Sequence, residues 1–147
     1  MSKGALVWPL LALLAALIVR RWLDVVEVRG HSMTPALQPG DRLLVARVAR
    51  PRVGDVVLAA DPRAPHRELV KRITDVTPVG ITLRGDNRAR STDARTFGAL
   101  PRSAVRWRVV GRYWPPGRAG RVAPSAISHP AGGGAGGTFT RARIGVD

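Results

Sequence analysis

Residues 4–19 (GALVWPLLALLAALIV) carry no charge, with Lys3 before them and Arg20 and Arg21 closing them. The run is apolar all round, not on one stripe, which argues against a core helix in so small a protein. As a helix its sixteen residues span roughly 24 Å, slightly short of the about 20 residues that a bilayer core asks for. Snorkelling of Arg20 and Arg21 and an interfacial Trp22 would make up the deficit. Pro9 falls near the start, where a helix tolerates it best. No small-x-small pair lies between the run and the arginines, which disfavours a cleaved leader. Residues 4–22 are therefore expected to form a membrane-anchor helix, with the lipid bilayer as a partner.

Beyond residue 24 the pattern changes. Short Val- and Leu-rich runs recur every ten or so residues, at 24–30, 42–48, 53–59, 68–76, 80–84 and 105–114. Pro39-Gly40-Asp41, Pro51 to Asp55, Asp61-Pro62 and Gly85-Asp86-Asn87 punctuate them as turns. No stretch sustains a 3.6-residue period. The body, residues 24–116, is expected to be all-β, either a sandwich or a partly open barrel. After Pro115-Pro116-Gly117 the chain turns Gly-, Ala- and Arg-rich, and AGGGAGG at 131–137 is low in complexity. Residues 117–147 are expected to be a disordered tail.

Composition narrows the chemistry. The 147 residues suit one domain and carry a net charge of +14. Arginine supplies 22 of the 24 bases, and the only lysines are Lys3 and Lys71. The absence of cysteine removes disulfides, thiolate zinc sites and a cysteine nucleophile. Three scattered His and two Glu make a metal site unlooked-for, and no cofactor is expected. So much positive charge attracts an anionic partner, either nucleic acid or lipid head groups. A basic nucleic-acid-binding module fits the total, and its affinity would fall steeply with salt. But the arginines are scattered through every strand and turn with no nucleic-acid motif among them, so no nucleic acid is expected.

Ser32 has the most suggestive setting of the six serines. It follows a strand and Gly30 and precedes Met33-Thr34-Pro35, a junction that can expose a hydroxyl beside its own backbone N–H. A hydroxyl needs a base to become a nucleophile. His31 is its chain neighbour and would point to the opposite face. His66 lies in a Pro-flanked stretch and His129 in the tail, and neither has an evident carboxylate to orient it. Lys71 stands in mid-strand, in a chain that otherwise spells its cations as arginine. Lysine can lose its proton near neutral pH where arginine cannot. Serving as a base near pH 8 asks burial for roughly 3–4 kcal/mol against the ammonium. Strand alternation puts Leu69, Lys71 and Ile73 on one face and Arg72 on the other. Spacing alone leaves open whether Lys71 is such a base or an edge-strand gatekeeper.

Gly30-His31-Ser32-Met33-Thr34-Pro35-Ala36-Leu37 resembles the G-x-S-M-x-P-T-L nucleophile box of the bacterial type I signal peptidases, the membrane-bound Ser/Lys peptidases of family S26. Pro39-Gly40-Asp41 and Gly54-Asp55-Val56-Val57 resemble the G-D-x-V segments that follow it, and Val70-Lys71-Arg72-Ile73 resembles the box that carries the general base. Gly85-Asp86-Asn87, then Ser91, Asp93, Arg95 and Gly98, resemble the family's G-D-N-x-x-x-S-x-D-S-R-x-x-G box with matching spacing. These boxes run in family order over residues 24–114.

The resemblance implies that Ser32 is the nucleophile, Lys71 its base, and Ser91 a partner orienting the amine. The Ser32 N–H would donate to the oxyanion. Some members add a hydroxyl two residues before the nucleophile, where this chain has Gly30. Asp93 and Arg95 would form a supporting ion pair, and Gly85, Asp86 and Asn87 a turn beside the site. Ala36 and Ala94 replace the family's usual Thr and Ser.

The implied activity is removal of an N-terminal leader or signal peptide from a precursor protein, by a monomer with a single pass through the cytoplasmic membrane. The family places its catalytic body outside the cytoplasm, whereas Arg20, Arg21 and Arg29 behind the anchor favour the inside, so the side stays open. The short form, with STDARTFG at 91–98 and the Tyr113-Trp114-Pro115-Pro116 ending, is similar to the proteases that mature nickel-type superoxide dismutase. A self-cleaving repressor-type peptidase is the rival within the fold. Such proteins carry a DNA-binding segment upstream, for which this chain has only about 30 mostly apolar residues.

Overall fold

The computed structural model describes residues 6–91 and 97–124, and the backbone of 139–141. Helix α1, Val7–Trp22, has no buried residue. Pro9 sits in its first turn, where amides lack helical partners anyway, and Arg20 and Arg21 sit in its last, where cations complement the helix dipole. Among the described residues no helix is long and apolar enough to cross a membrane. The helix passes into the first strand with no residue between them, and the Leu23 amide still bonds to the Val19 carbonyl.

The strands are β1 (Leu23–Val28), β2 (Arg42–Arg47), β3 (Val56–Asp61), β4 (Ala64–Val76), β5 (Ile81–Arg84), β6 (Val105–Trp114) and β7 (Phe139–Arg141). Every pairing is antiparallel, in the order β3-β6-β2-β1-β7-β4-β5, with β3 also paired to β4. The ladder therefore returns to its start. Of the two all-β forms expected, the barrel is the one that forms, and it is closed, with β5 added beside the C-terminal half of β4. Closure removes the free edges that invite aggregation.

Two boundaries moved for local reasons. β3 begins at Val56 because Gly54, at φ +93°, makes a turn that only glycine adopts freely. β4 begins at Ala64 because Pro62-Arg63 turns tightly, held by the Asp61 carboxylate accepting from the Arg63 amide at 3.0 Å.

Alternation along the strands sorts the apolar side chains into two clusters. One gathers Val26, Val28, Leu43, Val45, Leu58 and Val70 with Met33, Leu37 and Trp107. The other gathers Val57, Ala59, Ile73, Ile81, Leu83, Leu100 and Val105. β3 feeds both, which is why Val56–Ala59 reads as a continuous apolar run. Full burial of a Val or Leu here contributes roughly 1.5–3 kcal/mol.

The tail corrects the expected boundary at 117. Gly120 and Arg112 exchange two backbone hydrogen bonds of 2.8 Å. Arg118 donates to the Asp41 carboxylate at 2.9 Å, and Val122 packs against the first cluster. Asp41 is 1% exposed, and a buried carboxylate needs cations. Arg112 and Arg118 supply them, and so hold residues 117–123 on the body. Phe139–Arg141, in the stretch expected to be disordered, pairs as a strand between β1 and β4. The remainder of the tail, 125–138 and 142–147, lies outside the described residues.

Candidate active site

Ser32 lies just past β1, in a turn knit by Thr34 N–H to the His31 carbonyl at 3.2 Å and Leu37 N–H to the Met33 carbonyl at 2.9 Å. Met33 and Leu37 drop into the core and pin that turn, leaving Ser32 buried and His31 exposed. The Ser32 carbonyl accepts from the Asn87 amide at 2.9 Å, which ties the turn to the loop after β5.

Lys71 is 0% exposed. Its register partner on β3 is Val57, so it shares the face of Val57 and Ile73. Its Nζ donates to Ser91 Oγ at 2.7 Å, and Ser91 is itself buried. A lysine buried this completely needs polar partners for its amine, and Ser91 is one.

Gly85 shows how closely these groups pack. A β-carbon there would stand 2.1 Å from Ser91 Oγ and 2.5 Å from the Ser32 carbonyl oxygen. The Ser32 backbone, Ser91 and, through Ser91, Lys71 thus converge on a residue that must lack a side chain. Glycine is required here for space.

Arg72 points away from Lys71, as alternation requires, but it too is buried. The far face of β4 is closed at this point by the Asp86 carboxylate, which accepts from Arg72 Nε at 2.9 Å and from Nη2 at 2.7 Å. The same guanidinium donates to the carbonyls of Gly54 at 3.0 Å and Ala123 at 2.9 Å. A bidentate pair of this kind fixes orientation as well as charge. Asp86 flanks Gly85 and Asn87, so the pair braces the loop that carries both contacts to Ser32.

A second brace was not legible in sequence. Arg112, on β6, donates to the Asp41 carboxylate at 3.1 Å and to the Ala36 carbonyl at 3.0 Å. It thereby fixes the far end of the Ser32 turn. No sequence signal joins residues so far apart.

Gly30 is half-buried and offers no side-chain donor. His66 is exposed on β4. Asp93 and Arg95 lie outside the described residues.

The site thus joins a closed antiparallel barrel to a buried hydroxyl–amine cluster beside a serine turn. The family model described as "Signal peptidase, peptidase S26" matches residues 3–84, more than half of the chain, and the chain belongs to that family. It is 32% identical over 121 residues to the mitochondrial ATP-independent inner membrane protease subunit 1a of Arabidopsis thaliana, covering 64% of this chain and 72% of that one. It is 34% identical over 116 residues to the mitochondrial inner membrane protease subunit 1 of Schizosaccharomyces pombe, covering 63% and 74%. With the human mitochondrial inner membrane protease subunit 1 it shares 29% identity over 115 residues, covering 62% and 69%. No solved structure matches the chain significantly.

Proposed function

We propose that this protein is a membrane-anchored serine endopeptidase that removes N-terminal leader or signal peptides from precursor proteins. The observation that carries the reading is Lys71, fully buried and bonded to Ser91 at 2.7 Å, in the cluster that meets the Ser32 turn at Gly85. Family membership supports the peptidase chemistry, and the inner-membrane names of the relatives support a membrane setting. The exposed apolar surface of α1 suits a helix seated in lipid.

In the proposed mechanism neutral Lys71 takes the Ser32 hydroxyl proton as Oγ attacks the scissile carbonyl carbon. The Ser32 N–H donates to the oxyanion that forms. Lys71 then returns the proton to the departing amine, the new N-terminus of the mature protein, leaving the leader esterified to Ser32. A water deprotonated by Lys71 frees the leader. Ser91 holds the amine in place, and Asp93 and Arg95 would form the supporting ion pair that the family resemblance implies.

The narrower substrate, the leader of a nickel-type superoxide dismutase, rests on the resemblance of residues 91–98 and 113–116. The relatives are named as subunits, which favours an assembly over the expected monomer.

Purified protein should cut a leader peptide at one bond, read by mass spectrometry. Ser32→Ala should lose at least about a thousandfold in kcat/KM while keeping the wild-type Tm, and Lys71→Met, which fills the same buried space, should lose as much activity and stay folded. Methionine has no amine to accept the proton. Activity in Ser32→Ala above background would exclude Ser32 as the nucleophile.

A further inference from the structure

The loop after β5 is tied to both halves of the proposed dyad. At one end the Asn87 amide donates to the Ser32 carbonyl at 2.9 Å. At the other, Ser91 Oγ accepts from Lys71 Nζ at 2.7 Å. Between them lie Arg88-Ala89-Arg90, wound as a single 3-10 turn in which the Arg90 amide donates to the Asn87 carbonyl at 3.2 Å. The turn forms a lip beside the proposed reacting groups. Arg88 is half-buried and already engaged, whereas Ala89 and Arg90 are exposed.

Charge around this lip is unbalanced. Arg29, three residues before Ser32, is exposed. Arg84 stands on β5 directly opposite Arg72, and its Nε is buried with no hydrogen-bond partner. Like charges placed opposite one another repel. The loop's own carboxylate, Asp86, commits both oxygens to Arg72. Asp41, at the far end of the Ser32 turn, is held by Arg112 and Arg118. Glu27 lies 3.8 Å from Arg42, and Glu68, half-buried, lies three residues before Lys71 on β4. Residues 92–96 carry one acid and one base and leave the sum unchanged.

We infer that Arg90 is a specificity-determining residue, and that the substrate is a precursor with Asp or Glu within about three residues of its scissile bond. This rests on the peptidase reading and names the substrate class of that same site. Arg90 stands one peptide step, about 3.8 Å between Cα atoms, from the residue bonded to the base. An extended substrate advances roughly 3.3 Å per residue, so side chains close to the bond are the ones that come beside the guanidinium. A guanidinium takes a carboxylate through paired N–H donors. Arg29 and Arg84 add a positive potential that draws the same group in and repels lysine. The exposed setting keeps the gain modest and sensitive to salt.

The test takes a leader peptide that the full-length chain cuts, and remakes it with Glu, Gln or Lys at each of the three positions on either side of the cleaved bond. At the best position, kcat/KM with Glu should exceed that with Gln about fivefold, the upper end for an exposed ion pair. Lys should fall below Gln, and added salt should shrink the spread. Arg90→Gln should abolish the preference at that position, and Arg90→Glu should reverse it in favour of Lys. Arg50→Gln removes an exposed charge elsewhere and should keep the preference; its loss there would make selection a matter of net charge and overturn the assignment to Arg90. Equal rates for Glu, Gln and Lys at every position would overturn the proposal, as would a Glu preference that survives Arg90→Glu. A chain that cut no peptide would remove the peptidase reading. Binding of the labelled Glu and Lys peptides, read by fluorescence anisotropy, would then decide charge selection by itself: tighter Glu binding that is lost in Arg90→Glu sustains it, and equal binding ends it.

Discussion

Lys71 Nζ donates to Ser91 Oγ at 2.7 Å across twenty residues of sequence, and both side chains are buried. The amine therefore has a fixed position and a hydroxyl to hold it. Because the proposed base acts only when neutral, the proposed mechanism expects kcat/KM to rise with pH through the titration of that amine.

Ser91→Ala should leave the protein folded and lower kcat by about a hundredfold, the scale of a misplaced catalytic group. Ser91→Thr keeps the hydroxyl and should recover most of the loss. The pH–rate profile separates this from a structural defect: the alanine variant should titrate at a different pH from wild type, and the threonine variant close to it.

Gly85→Ala tests packing. Its methyl group would overlap Ser91 Oγ at 2.1 Å and the Ser32 carbonyl at 2.5 Å, and the second is backbone that cannot step aside. Overpacking of this kind costs about 3 kcal/mol. Denaturant melts should show that loss, with activity near background. A stable, active alanine variant would mean that the loop has room that the structure denies.

Arg118→Ala removes one of the two guanidinium groups on buried Asp41. The expected loss is about 2 kcal/mol, the scale of a hydrogen bond to a buried charge, read as a Tm lower by several degrees. Truncation after Gly117 should cost more, because it also deletes the Gly120 bridge to Arg112 and the Ala123 carbonyl on Arg72. A truncated chain as stable as the whole would show that residues 118–123 contribute nothing to the body.

Asp61 sets an acid limit. Burial alone would raise its pKa, but hydrogen bonds from the Arg63 side chain and amide, with the charges of Arg63 and Arg67, outweigh it and hold the carboxyl below its ordinary value of 3.8. A group whose folded pKa is depressed stabilises the fold above its unfolded pKa and loses that contribution as pH falls through the folded one. Stability near pH 7 should therefore include an Asp61 contribution that fades below about pH 4. Asp61→Asn should be less stable than wild type at pH 7, with the gap closing toward pH 3.

The strands were legible because their ends are marked by Pro, Gly and Asp, and because alternation distinguishes inside from outside. Alternation also placed Lys71 and Arg72 on opposite faces. It could not say what covers a face, so the burial of Arg72 against Asp86 stayed hidden. Ser32, Lys71 and Ser91 were named by resemblance to a family, since no spacing rule brings positions 32, 71 and 91 together. The Arg118–Asp41 contact joins residues 77 apart in sequence through charge alone. β7 is three residues in a glycine-rich stretch, too short to show any period.

The junction of α1 with β1 has a geometric consequence. No residue separates Trp22 from Leu23, so the helix passes directly into a strand of the barrel. The six residues of β1 rise about 20 Å at 3.3 Å each, and the Ser32 turn follows. With α1 seated in a bilayer as proposed, that strand would act as a ruler, limiting to about its own length the height at which Ser32 stands above the lipid. A precursor held in the same membrane would be cut where its own chain crosses that height, so distance from the bilayer would select the bond alongside the residues that flank it.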